Sequence, residues 1–157
     1  RRLGTCRRLR ADTGRDPGTL SLNRTVGSRL PVLVTALGRA FLGFAAPELV
    51  EYTLSRLALS NEPFDAPAKN AAAIRRLLAQ VRRQGYATGD REYQRTTRTL
   101  AVPIMVNAAP VASLNIMVVP SAMSMEQLVK SLLPALSAAA RTIGASMSQS
   151  SRERSAR

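Results

Sequence analysis

The sequence predicts an α+β domain in which helices and antiparallel strands are segregated along the chain. Three observations lead there. Residues 36–84 hold three successive amphipathic helical patterns. The run Thr99–Met125 contains no charged residue, is rich in β-branched residues and is interrupted by Pro103, Pro110 and Pro120. A capping box, Ser124-Met-Glu-Gln127, then opens one last helical pattern. Elements grouped in this way argue against an alternating, doubly wound sheet. At 157 residues the chain can bury a core and form one domain.

Taken in order, residues 1–26 are rich in Arg, Gly and Thr and contain the turn Asp16-Pro-Gly18. Thr19–Asn23 alternates as one half-buried strand would. The stretch Gly27–Ala46 organises the rest of the chain. Its short apolar run from Pro31 to Val34 reads as a strand, and Thr35 stands at a helix N-cap. Ala36, Leu37, Ala40, Phe41 and Phe44 form an apolar stripe behind that cap. Gly38 costs such a helix roughly 1 kcal/mol against Ala, so close backbone approach is expected there. The corner reads equally as plain core or as one wall of a ligand pocket.

Pro47 suits the first position of a second helix, with Glu48 and Glu51 near its N-terminus and Val50, Leu54, Leu57 and Ala58 on its buried face. Ser60–Ala68, with two prolines, reads as a loop. A third helix spans about Lys69–Gln84, with Ile74, Leu77, Leu78 and Val81 inward, four Arg outward and Gly85 as its C-terminal cap. The uncharged run is long enough to raise a membrane span, but its prolines, Asn107 and Asn115 argue against one. It reads instead as a hairpin turning at Asn107-Ala-Ala-Pro110, with Pro103 marking an edge or a bulge. In the second strand Ala112, Leu114, Ile116 and Val118 form a core face. The opposite face, Val111, Ser113, Asn115, Met117 and Val119, mixes polar with apolar groups, as either a small-molecule cavity or a partly solvated sheet would. Leu128, Leu132, Leu136, Ala139, Ile143 and Met147 carry the last helix, which Pro134 should kink or divide, and residues 149–157 read as a polar tail.

Composition narrows the chemistry. With no His, one Cys and no metal-spaced cluster, no metal or cofactor is expected and acid–base catalysis by His is excluded. There is no phosphate-binding loop and no nucleophile elbow. Asp90 and Glu92, beside Arg91 and Arg95, come nearest to a carboxylate pair. An enzyme is not expected, and binding is the better class. The net charge of +13 divides unevenly. Residues 1–29 hold eight Arg against Asp12 and Asp16, for +6; residues 30–150 hold +5; and residues 151–157 hold three Arg against Glu153, for +2. Basic ends read first as solvated tails, and as a nucleic-acid contact second. The chain opens on RRLGTCRRLR without a hydrophobic signal region, so a cytoplasmic setting is expected and the chain reads as a domain of something longer.

Several stretches resemble one family together. GSRLPVLVTALGRAFLGF resembles the GxxLPxxxTAxGRAxLA signature of the IclR family of bacterial transcriptional regulators. RRQGYATGDREYQRTTRTLAVPI is similar to that family's RxxGYA segment, acidic loop and IAAPV strand, and VASLNIMVVPSAMSMEQLVKSLLPAL to its closing strand and final helix. The likeness covers about residues 8–148. Within the family, the run SLNIMVVPSAMSMEQ looks most like activators of phenylpropionate and related aromatic-acid catabolism. The resemblance implies a GAF-like effector-binding domain over 28–148, a curved antiparallel sheet flanked by helices, after a basic opening segment at 1–27. It also implies an intact regulator that binds operator DNA as a homodimer or homotetramer through an N-terminal winged helix-turn-helix, to which nothing in this chain corresponds.

Family pocket positions fall by motif on Ala36 and Leu37, on Asp90 in the acidic loop, on Thr99, and on Asn115 and Met117 where serines are usual. The last two departures imply a wider, less polar pocket, suited to an aromatic carboxylate rather than a very small oxo-acid, with Arg39 or Arg98 as its partner. Thr96, where the family has Gly, implies an altered loop path. Two other functions compete with this reading: a basic module that binds nucleic acid directly through its Arg-rich ends, and a purely dimerising domain.

Overall fold

A computed structural model of the chain describes residues 8–11 and 28–155. The expected strand at Thr19–Asn23 and the lone Cys6 lie outside the described residues, as do residues 1–7, 12–27 and 156–157. The described chain runs β1 (Arg8–Ala11), β2 (Ser28–Pro31), α1 (Ala36–Phe44), α2 (Pro47–Ala58), a 3-10 segment (Pro63–Asn70), α3 (Ala71–Gln84), β3 (Ala87–Asp90), β4 (Arg98–Val106), β5 (Ala109–Val118) and α4 (Met125–Ser155). The α+β class is as predicted. Among the described residues the strands form two antiparallel pieces, β1–β2 and β3–β4–β5.

The organising corner is shifted from its expected form. The strand is Ser28–Pro31, paired with β1 so that Leu9 faces Leu30, and not the apolar run after it. Val32 and Leu33 are fully buried but lie in a turn, so burial and not strand pairing explains their apolarity. Thr35 closes the turn from both sides. Its hydroxyl donates to the Pro31 carbonyl at 2.7 Å and accepts from the Gly38 amide at 3.2 Å, capping α1 as expected. Gly38 is needed for close approach, but its neighbour is the turn and not the sheet. A Cβ there would stand 2.0 Å from the Val32 carbonyl oxygen.

Local chemistry accounts for the other boundaries. Pro47 begins α2. The expected loop after it contains the 3-10 segment, which begins at Pro63. Asn70 caps α3 by accepting from the Ala73 amide at 3.1 Å, so that helix starts two residues later than predicted, and Gly85 ends it in the left-handed conformation at φ 87°. Asn107 and Ala108, both at positive φ, make a tight hairpin turn that leaves Pro110 inside β5. Pro103 lies beyond Ala101, where β3 stops pairing with β4, and a register irregularity follows at Ile104/Met105. Ser124 and Gln127 complete the reciprocal capping box at 3.1 and 2.8 Å. α4 continues through Pro134, which does not divide it, and on to Ser155, so residues 149–155 are helical instead of a frayed tail.

The core has three layers on the β3–β4–β5 sheet. On one face, Leu100, Val102 and Ile104 pack against Leu128, Leu136 and Ala140 of α4. On the other, Ala87 and Ala101 meet Ala36 and Ala40 of α1, and these small side chains let the helix approach the strands closely. Behind α1, Leu42, Leu54, Leu57, Ile74 and Leu78 join α1, α2 and α3 around Val32 and Leu33. The Arg face expected on α3 is partly engaged. Arg75 pairs with Glu51 through two 2.7 Å bonds, and Arg82 donates to the Gly43 and Ala45 carbonyls at 2.7 and 3.0 Å. Among the described residues no helix is long and apolar enough to cross a membrane.

Candidate functional site

Sheet register sets up the site. In antiparallel pairing, opposed residues share a face and successive residues alternate. The row Gly89–Thr99–Met117 and the row Ala87–Ala101–Asn115 therefore face α1. The row at the loop end of the strands, Asp90–Arg98–Val118, faces α4. A cavity lies where the N-terminus of α1 meets the first two rows. Its walls are Leu30, Val34, Thr35, Ala36 and Leu37 from the corner, Gly89, Thr99, Asn115 and Met117 from the sheet, and Arg91–Gln94 and Thr97 from the loop between β3 and β4.

Five of the eight predicted positions, Ala36, Leu37, Thr99, Asn115 and Met117, line this cavity. The amides of Ala36 and Leu37 belong to the first turn of α1, where helical bonding offers them no acceptor and the helix dipole favours an anion. Thr99 donates to the Gly89 carbonyl at 3.3 Å, and a side chain at 89 would crowd its hydroxyl, with a Cβ at 2.6 Å. Gly89 therefore keeps the cavity open.

Asp90, Arg39 and Arg98 lie outside the lining. Sheet register turns Asp90 and Arg98 to the α4 side. Arg98 donates to Asp90 at 3.1 Å and to the Pro120 and Met123 carbonyls at 3.1 and 2.8 Å, pinning the approach to α4. Arg91 donates to the same carboxylate at 3.0 Å. The Arg98 hydrogen bond holds the Asp90 carboxyl below its ordinary value; desolvation opposes it, and Arg91 adds to the lowering. Arg39, whose side chain is 12% exposed, donates to the Leu33 carbonyl at 2.7 Å and the Thr88 carbonyl at 3.3 Å and pairs with Glu92. It is a strut joining α1, the corner, β3 and the loop.

Sequence reasoning missed the loop wall. Arg91 sits at φ 60°, its amide donates to the Thr97 carbonyl at 3.0 Å, and the Thr97 amide donates to the Gln94 carbonyl at 3.2 Å, folding the loop back over the cavity. Gln94 Oε1 is buried without a hydrogen-bond partner. Nothing in the loop's periodicity announces these roles. A glycine inside a strand pattern, Gly89, is the one local sign that something approaches there. The expected wide pocket is also narrower in the structure. The space is about 30 Å3, room for about two water molecules.

Fold and cavity together define the class, an α+β domain that sets a helix N-terminus over a small cavity on an antiparallel sheet. The chain belongs to the IclR family of transcriptional regulators. Residues 15–145 match the family described as bacterial transcriptional regulator IclR C-terminal, so this is a regulatory domain and not an enzyme. It is 30% identical over 128 residues to a Pca regulon regulatory protein of Pseudomonas putida, covering 79% of this chain and 43% of that protein. Its fold is that of the Thermotoga maritima IclR (TM-score 0.74, 21% identity, 87% of this chain and 55% of that one). It is also that of an inducer binding domain of the Acinetobacter PobR transcription factor, a double mutant in complex with 3-hydroxy benzoic acid (TM-score 0.63, 21% identity, 76% of this chain and 68% of that one). The chain thus spans about half the length, or less, of the first two.

Proposed function

We propose that this domain receives a small carboxylic acid, aromatic by preference, in the cavity beneath the N-terminus of α1. The observation that carries the reading is the position of Ala36 and Leu37. Their first-turn amides border a cavity whose sheet and corner walls include polar Thr99 and Asn115 beside apolar Met117 and Leu30. The acid group would lie at the helix end and the ring against Met117. A ring is far larger than two water molecules, so binding requires the 91–97 loop to move outward. That movement would disturb Arg39–Glu92 and the Asp90–Arg98 contacts behind the sheet, and so bias the protein between two states. In the intact regulator the bias would reach operator DNA through an N-terminal winged helix-turn-helix and a homodimer or homotetramer. The Pca regulon relative and the 3-hydroxy benzoic acid held by the PobR domain support an aromatic acid.

A thermal-shift screen of hydroxyphenylpropionates, benzoates and short oxo-acids tests this. A true effector at a hundredfold excess over Kd stabilises the domain by about 2.7 kcal/mol. Gly89→Val, which fills the cavity, should reduce the shift. A shift with glyoxylate and none with any aromatic acid refutes the aromatic preference. No shift with any acid refutes the reading.

A further inference from the structure

The 91–97 loop has open space on both sides. Inside lies the cavity beneath α1, and outside lies a groove of about 690 Å3 lined by Phe64, Arg91, Glu92, Tyr93 and Arg95. Ligand sites commonly enclose roughly 300–1,000 Å3, so the groove has the capacity for a ring that the inner cavity lacks. We propose that the groove is a second binding site, for a planar aromatic carboxylate, resting on the reading of this domain as a receiver of organic acids.

Two features of the groove select that ligand. The 3-10 segment brings Phe64 against Tyr93 of the loop, edge to face, with ring centroids 5.1 Å apart at 67°. Phe64 nevertheless stays 42% exposed, which leaves apolar ring surface for a third ring to stack on. Charge supplies the second feature. Arg95 is exposed and makes no ion pair among the described residues, and Arg91 commits its Nε to Asp90, which leaves its terminal nitrogens unengaged among the described residues. The acid among the lining residues, Glu92, is taken by Arg39. Rings flanked by two cations, with the local carboxylate neutralised, match a flat anion. A bare anion would leave the rings unused, and a neutral ring would leave the arginines unused.

Calorimetric titration of the 157-residue chain with benzoate, cyclohexanecarboxylate and pyruvate tests the assignment. Benzoate should bind in the native chain, more tightly than cyclohexanecarboxylate. Phe64→Ala and Arg95→Gln should each weaken it by about tenfold, and Arg95→Lys should restore most of the loss. Pyruvate is too small to use the rings and reports on the inner cavity. Circular dichroism establishes that each variant is folded, and Arg95, being exposed, serves where Phe64→Ala fails to fold. Unchanged benzoate affinity in both variants overturns the groove, and so does a native chain that gives no benzoate heat. Benzoate binding that ignores both variants leaves the inner cavity as its site. Pyruvate heat without benzoate heat leaves the inner cavity as an acid site but removes its aromatic preference, and loss of all binding removes both readings.

Discussion

Replacing Gly38 by Ala sets two opposed effects against each other. Alanine favours a helix interior over glycine by about 1 kcal/mol. Against that, the new Cβ would lie 2.0 Å from the Val32 carbonyl oxygen and 2.5 Å from both its carbon and its Cα. Carbon atoms in good contact stand about 3.5–4.0 Å apart, so α1 and the preceding turn must separate by more than about 1 Å. All three clashing atoms are backbone, so no rotamer change relieves them. Overpacking of a dense core costs about 1–3 kcal/mol, and this case belongs at the upper end. The separation also pulls Thr35 from its cap, worth about 1 kcal/mol. The net loss is about 3 kcal/mol, or roughly 6–12 °C in Tm for a domain of this size. Differential scanning calorimetry measures it, with Gly85→Ala as the control. Gly85 has nothing within 4 Å and loses only the left-handed conformation, about 1–2 kcal/mol. A Gly38→Ala protein that melts at or above the native temperature refutes the close-approach argument.

Gly144→Ala makes the same kind of intrusion on the other side of the sheet, with a Cβ 2.4 Å from the Met105 carbonyl oxygen; a loss of about 1–3 kcal/mol in urea unfolding is expected. Arg39→Met strands the Leu33 and Thr88 carbonyls and releases Glu92, so it should cost about 2–3 kcal/mol and expose the 91–97 loop to limited proteolysis earlier than in the native chain. Asp90 titrates below its ordinary 3.8 in the fold, so the stability it lends is present above that pH and is lost as pH falls through the lower, folded value. Carboxyl NMR should place its midpoint below the ordinary one and Arg98→Gln should move it back up; an ordinary midpoint in the native chain refutes the Arg98–Asp90 pairing.

The parts of the fold legible in the sequence are those governed by local chemistry. The Thr35 cap, Pro47, Gly85, the hairpin at Asn107 and the Ser124–Gln127 box each act over three or four residues and sit where their side chains dictate. What depended on distant partners was not legible. Val32 and Leu33 look like strand because they are buried, but the strand is fixed by pairing of Ser28–Pro31 with Arg8–Ala11, some twenty residues away. At the site, the alternation of β5 correctly put Asn115 and Met117 on the cavity side. The same rule applied to β4 separates Thr99 from Arg98, and it would have removed Arg98 from the candidates. Arg39 is different. Its carbonyl partners come from the corner and from β3, and no pattern in its own helix reveals them. The loop wall was hidden for a similar reason, because its shape rests on backbone bonds among Arg91, Gln94 and Thr97.

β4 lies between two compartments, and neighbouring residues along it answer to different ones. Thr99 and Ala101 border the α1 side, while Leu100, Val102 and Ile104 are sealed under α4. Saturation mutagenesis of residues 99–104 would therefore separate two kinds of position. Changes at Leu100, Val102 and Ile104 under α4, and at Ala101 packed against α1, would reduce the yield of folded protein. Thr99 on the cavity wall would accept change while the protein still accumulates.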